Sequence, residues 1–158
     1  MNGWVDASMA HAADVVITCD TKGTVSWSSP GIGKEPAVVE WQTENELSNC
    51  KGSVPGKDGV VPIRVTVKGT EKASCDGEVT DHKGKGTISW SDKTTSKFDE
   101  GEISESKSGG SGDGDFSETI KSGTMKGHTM EVKTTGTDSG HPCPGERKAE
   151  LEGMLSIS

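Results

Sequence analysis

Apolar residues alternate with Thr, Ser, Lys or Glu along most of this chain, the period-2 signature of strands with one buried face. In Val60–Val67, V-V-P-I-R-V-T-V, the alternation puts Val61, Ile63, Val65 and Val67 on one face. Pro62 near its start places this strand at a sheet edge or begins its ladder there. The last segment, R-K-A-E-L-E-G-M-L-S-I-S, turns Ala149, Leu151, Gly153, Leu155 and Ile157 inward. A helix competes for it, but the alternation and the central Gly153 favour a strand. A short repeat adds to the pattern: Gly23–Ser28, G-T-V-S-W-S, returns as Gly86–Ser91, G-T-I-S-W-S, each with a cysteine upstream, Cys19 and Cys75. The echo predicts two similarly built strand pairs.

Between these runs, Gly, Pro, Asp and Lys clusters predict turns. Strands are expected over 14–19 and 24–28, with Val25 and Trp27 inward, joined by a turn at 20–23. A third follows over 37–42, carrying Val39 and Trp41, and a short fourth holds Leu47 and Cys50. Further reversals fall at 68–71, 81–84 and 91–94. Phe98 and Ile103 have opposite parities, which predicts a bulge near Gly101. Residues 105–115, E-S-K-S-G-G-S-G-D-G-D, contain no apolar side chain and read as an exposed, mobile hairpin loop. A second polar loop spans 136–145. The result is about nine to eleven short strands and no helix of ten residues. That pattern predicts an all-β fold, an antiparallel β-sandwich or flattened barrel.

Composition changes the picture in one respect. Leu, Ile, Val and Phe together fall below the roughly 20% under which a chain tends toward disorder, and the formal charge is −8. Such a lean core gains from crosslinks. Cys19, Cys50, Cys75 and Cys143 are spaced too widely for a redox pair or a zinc knuckle. Pairing in chain order, Cys19–Cys50 and Cys75–Cys143, closes loops of about 30 and about 70 residues, each worth on the order of 3 to 4 kcal/mol in the chain-entropy picture. Disulfides imply an oxidising setting, so a secreted or cell-surface location is expected. The 158 residues fit a single domain over 14–158, preceded by residues 1–13 as a disordered remnant of an export signal or of expression. Ala10-His11-Ala12 in that stretch has the small-x-small form of a signal-peptidase site.

The acidic balance, 25 Asp and Glu against 17 Lys and Arg, excludes a general nucleic-acid surface, which needs clustered positive charge. No apolar run approaches the roughly 20 residues of a spanning helix. A monomer is expected.

Candidate chemistry is sparse. Nucleophilic catalysis needs a base oriented beside its nucleophile, whereas His82, His128 and His141 fall in predicted turns or loops and read as exposed. A small hydrolase is therefore the least favoured function. Asp113 and Asp115 sit on a Gly-rich run where carboxylates two apart can meet a hard cation such as Ca²⁺. They lack the twelve-residue EF-hand arrangement and read as an acidic hairpin tip, so no cofactor is expected. His128, His141 and Cys143 make a zinc site only if Cys143 is unpaired. Trp27, Trp41 and Trp90 share the parity of the valines and read as core. Reversed parity would turn two of them into a flat glycan-binding platform, as in a carbohydrate-binding module. His141-Pro142-Cys143-Pro144 is the stiffest loop, and its His141, Pro142 and Pro144 form the possible binding loop of a protease inhibitor.

The order of cysteine, G-T-V-S-W-S, V-P-I-R-V-T-V, a second cysteine strand, G-T-I-S-W-S-D-K-T-T-S-K-F, K-S-G-T-M-K-G-H-T-M-E-V and a late cysteine resembles the small Gly/Thr-rich secreted β proteins of Streptomyces and related actinobacteria. The likeness runs from about Val15 to Ile157 and implies secretion, with no catalytic signature to carry over. This chain is more charged, with Lys and Glu where that group has Thr, Gly and Ser. The expected function is a non-enzymatic secreted or cell-surface protein that contacts another protein or a cell-envelope polysaccharide.

Overall fold

The computed structural model describes residues 15–101, 104–108, 111–138 and 143–158; the expectation for residues 1–13 lies outside them. Eleven strands follow one another: β1 (Ile17–Trp27), β2 (Ala37–Gly52), β3 (Pro62–Ala73), β4 (Gly77–Glu78), β5 (Thr80–Trp90), β6 (Thr95–Glu100), β7 (Ser104–Ser108), β8 (Ser111–Thr119), β9 (Ser122–Gly123), β10 (Thr129–Asp138) and β11 (Lys148–Ile157). All belong to one antiparallel sheet of order β4-β7-β8-β10-β11-β1-β2-β3-β5-β6-β9. The fold is thus all-β, as expected, a single sheet curled on itself into a half-barrel or sandwich. Its two flanks are bridged, because β4 leads straight into β5 while pairing with β7, and β9 follows β8 closely while pairing with β6. Between them β6 meets β8, where Phe98 and Phe116 stack with ring centroids 6.5 Å apart.

Several strands are longer than the turn signals imply. D-T-K-G at 20–23, K-G-T-E at 68–71 and D-H-K-G at 81–84 all run inside continuous strands, and the third and fourth expected strands are one 16-residue strand, β2. The glycines explain this. They sit at inward positions where neighbouring strands cross closely: a Cβ on Gly23 would lie 1.9 Å from the Glu44 carbonyl oxygen, and one on Gly69 1.8 Å from that of Lys83. Glycine here serves close backbone approach in a curled sheet, not reversal. Gly84 and Gly86 do the same for side chains, leaving room for the rings of Trp41 and Phe98.

Two further expectations are corrected. The loop read over 105–115 is the β7–β8 hairpin, paired from Ser104↔Asp115 to Ser108↔Ser111. In β3 the register shifts between Pro62 and Arg64, so Pro62 is buried and Ile63 is 48% exposed. Pro62 begins an interior strand, where its missing donor costs no ladder bond. The bulge expected near Gly101 falls against residues 102–103, outside those described.

The interior is packed unevenly. Toward one end, Ile17, Ile88, Trp90, Phe98, Ile120, Met130 and Ile157 are almost fully buried, each contributing roughly 2 to 3 kcal/mol of apolar burial. There the Trp90 indole N–H donates to Ser96 Oγ at 2.8 Å. Cys19–Cys50 joins β1 to β2 nearby. At the other end, beyond Trp27, three connections are stitched into a cap. Ile32 N donates to the Glu146 carbonyl, Gly145 N to that of Ile32, and Cys75 N to that of Gly33, all at 2.7 or 2.8 Å. Cys75–Cys143 locks the cap. Between the packed end and the cap the inward positions turn polar.

Candidate functional site

The polar positions surround a cavity of about 80 Å³ inside the curl. β1 supplies Thr21, Val25 and Trp27; β2 supplies Trp41, Asn45 and Leu47; β3 supplies Val65, Val67 and Glu71; β5 and β6 supply His82 and Glu100. Phe116, Val132, Leu151 and Leu155 complete an apolar wall on the far side. Each residue is inward for the same reason, the two-residue period of its strand.

A buried charged cluster forms one end. His82 is 5% exposed, Glu71 3% and Glu100 5%. His82 Nδ1 lies 2.8 Å from Glu71 Oε1, and His82 Nε2 bonds Glu100 Oε1. The other Glu71 oxygen accepts the Trp27 indole N–H at 3.2 Å. Burial of the ring works against a charged His82, but hydrogen bonds to Glu100 and Glu71 outweigh it and raise its pKa from 6.5 to about 9. Burial pushes the Glu100 carboxyl upward, opposed by its hydrogen bond to His82. His82 is therefore an imidazolium at neutral pH with both ring nitrogens engaged. Its ring stacks on Trp41, centroids 4.5 Å apart and planes 21° from parallel, a contact that a cationic ring strengthens. The cluster fixes His82, and His82 fixes the Trp41 indole.

Unlike that cluster, three other wall residues are unsatisfied. Thr21 Oγ1, Trp41 Nε1 and Asn45 Oδ1 are buried without a hydrogen-bond partner. Buried polar atoms are nearly always paired, and an orphan costs roughly 1 to 3 kcal/mol. All three belong to residues that line the cavity.

The sequence-predicted positions mostly lie elsewhere. Trp27, Trp41 and Trp90 are 4%, 4% and 1% exposed, so no exposed Trp platform exists among the described residues. His82, read as an exposed turn histidine, is the centre of the buried cluster: the turn expected at 81–84 does not form, and β5 carries the ring inward. His128 is half-buried, its Nδ1 3.2 Å from the Ser158 carbonyl oxygen. Cys143 is bonded to Cys75, which removes it from any zinc set with His128 and His141. Asp113 and Asp115 project outward from β8, and Asp113 accepts from Thr135 Oγ1 at 3.0 Å. Among the described residues no group of three or more His, Cys, Asp or Glu could hold a metal ion. Pro144 is exposed beside Cys143, whereas His141 and Pro142 lie outside the described residues. Glu71, Glu100, Thr21 and Asn45 belong to the site although no motif in the sequence singles them out. The signal that finds Glu71 and His82 is parity, continued from Val67 through Gly69 and back from Trp90 through Gly86 and Gly84.

No family model matches the chain, and no curated protein or solved structure does either. What the fold and site define is a disulfide-stabilised β domain of a kind consistent with binding. Among the described residues no helix is long and apolar enough to cross a membrane.

Proposed function

We propose that this chain is a non-enzymatic binding domain that encloses a small molecule in the centre of its curled sheet. One observation carries the reading: Thr21, Trp41 and Asn45, each with a buried polar atom that has no hydrogen-bond partner, line the same cavity. Curled sheets of about eight strands enclose enough space for one small ligand. The state of His82 supports binding over catalysis, since a protonated imidazole held by two carboxylates does not serve as a base at neutral pH. Two disulfides support an extracellular or cell-surface setting.

The test is a ligand-observed NMR screen of small fragments against the wild type and a Val132→Phe variant, whose added ring fills the cavity. Fragments that bind the wild type and lose binding in the variant are the expected result. A screen in which nothing binds, or in which both proteins bind alike, would overturn the reading. Contact with a protein or a cell-envelope polysaccharide is a second reading. It is favoured by a broad depression on the outer face of β1–β3 where Ser26, Ser28, Glu40, Gln42, Lys68 and Arg147 meet. Charge reversal at Lys68 and Arg147 would abolish such a contact and leave fragment binding untouched.

A further inference from the structure

We propose that the outer face of the sheet binds an acidic polysaccharide, a sugar chain bearing carboxylates, along a strip of cations that crosses β11, β1, β2, β3 and β5. The proposal rests on the outer-face contact given above as the second reading and adds the chemical class of the partner. It is independent of the enclosed cavity.

Strand register lays out the strip. Lys148 stands opposite Ser26, Ser26 opposite Gln42, Gln42 opposite Lys68, and Lys68 opposite Lys85. All five are exposed, at the outward parity of their strands. Neighbouring strands lie about 4.8 Å apart, so the backbones of Lys148 and Lys68 are separated by about 14 Å and those of Lys68 and Lys85 by about 5 Å. One step toward the cap, Glu40 stands opposite Thr70 and Thr70 opposite Lys83. Arg147 joins them from the start of β11: a Cβ on Gly31 would meet its Cγ at 2.8 Å, which places its stem against the connection leaving β1. Arg147, Lys68, Glu40 and Gln42 line one open depression of about 580 Å³.

Charge in this strip is arranged as an isolated fold would avoid. Like charges directly opposite on neighbouring strands destabilise a sheet, yet Lys68 and Lys85 face each other across β3 and β5. The chain has 25 Asp and Glu against 17 Lys and Arg, but here Arg147, Lys148, Lys68, Lys83 and Lys85 surround the single carboxylate of Glu40. The two rows farther from the cap are balanced instead: Lys22 pairs with Glu152 at 4.0 Å, and Arg64 with Glu44 at 3.7 Å and Glu46 at 3.6 Å. Among the described residues no ion pair neutralises Lys68, Lys83, Lys148 or Arg147. Asp99, opposite Lys85, is held by Lys121 at 2.6 Å. A polyanion laid across the strands supplies the missing charge, and Glu44 and Glu150 in the adjoining row confine it to the strip.

The groups between the charges select among polyanions. Ser26 and Gln42 separate Lys148 from Lys68, and Thr70 separates Glu40 from Lys83. A sugar chain spaces its carboxylates with hydroxyls and so meets both kinds of group. A single-stranded nucleic acid stacks its bases on exposed aromatic rings, whereas Trp27 and Trp41 beneath this face are each 4% exposed. A folded protein partner needs an aromatic or apolar anchor in a pocket, and the depression offers it only polar and charged side chains. Four of the five cations are lysines, point charges without the bidentate fork by which arginine grips phosphate.

The experiment measures binding of the intact protein to immobilised polygalacturonate by biolayer interferometry, beside its methyl ester, polyphosphate, polyglutamate and single-stranded DNA. We expect polygalacturonate to bind, to weaken steeply as ionic strength rises from about 0.02 M to about 0.2 M, and to exceed the other four by at least about tenfold. Lys68→Gln and Arg147→Gln should each weaken it about three- to fivefold, the effect of one exposed charge pair. Glu40→Gln should strengthen it by a similar factor, and Lys126→Gln, in the turn after β9, should leave it unchanged. These side chains are exposed, and a retained Trp fluorescence spectrum certifies each fold. A methyl ester that binds as tightly as the acid overturns the class; if its binding is lost on charge reversal at Lys68 and Arg147, the outer-face contact stands without it. Unchanged affinity in both Lys68→Gln and Arg147→Gln overturns the strip, and tighter binding of polyphosphate, polyglutamate or DNA overturns the carboxylated sugar chain. Absence of polymer binding even at low salt overturns the class and the polysaccharide contact together.

Discussion

Replacing His82 by Gln should remove most of the pH dependence of stability above neutrality. With its pKa raised from 6.5 to about 9 by burial-opposed bonds to Glu100 and Glu71, the native state holds a proton that the unfolded chain releases near pH 6.5. The His82 contribution is therefore fully present below pH 6.5 and is lost as pH rises toward 9. At roughly 1.4 kcal/mol per pH unit the loss amounts to about 3 kcal/mol. Glu100, also shifted upward, acts in the same direction but at lower pH, beginning above its ordinary 4.5. His82→Gln deletes the upper window and leaves two buried carboxylates without their cation. At pH 7 it should cost about 3 to 5 kcal/mol, as for other broken buried pairs, and the deficit should shrink on acidification as Glu100, pushed upward by burial, takes up a proton. Urea unfolding followed by Trp fluorescence from pH 5 to 9.5 gives both quantities. No free cysteine is present to complicate the alkaline end. A wild-type stability that stays flat between pH 6.5 and 9, or a variant with the wild-type slope, would refute the reasoning.

Thr21→Val should raise stability by about 1 kcal/mol in urea unfolding without ligand, because it removes an orphaned hydroxyl at constant shape; a loss of that size would mean the hydroxyl is already partnered. Changing Cys75 and Cys143 together to Ser opens a link across 68 residues and should lower stability by about 4 kcal/mol in the chain-entropy picture, read as a reduced urea midpoint. Gly86→Ala would place a methyl 2.1 Å from the Phe98 ring and should cost at least about 1 to 3 kcal/mol; a neutral result would mean that β5 and β6 are not so closely apposed.

The period-2 pattern is enough to read the all-β class, the inward Trp27, Trp41 and Trp90 and the last strand, because apolar side chains on alternating positions have no other use in a half-buried sheet. It is not enough for the site. Lys68-Gly69-Thr70-Glu71 and Asp81-His82-Lys83-Gly84 have the composition of turns, and the charged residues that point inward are the same types that solvate an outer face. What separates them is position: Glu71 follows Val65, Val67 and Gly69 at the same parity, and His82 precedes Gly84, Gly86, Ile88 and Trp90. Strand length is hard to read for a related reason, since inward glycines that allow strands to cross closely look the same in sequence as glycines that reverse the chain.

The most direct test of the central claim is a high-resolution crystal structure of the protein soaked in a fragment that the binding screen identifies. The account predicts that fragment enclosed in the cavity that Thr21, Trp41 and Asn45 line. A cavity that keeps the same ordered waters at saturating fragment would contradict it.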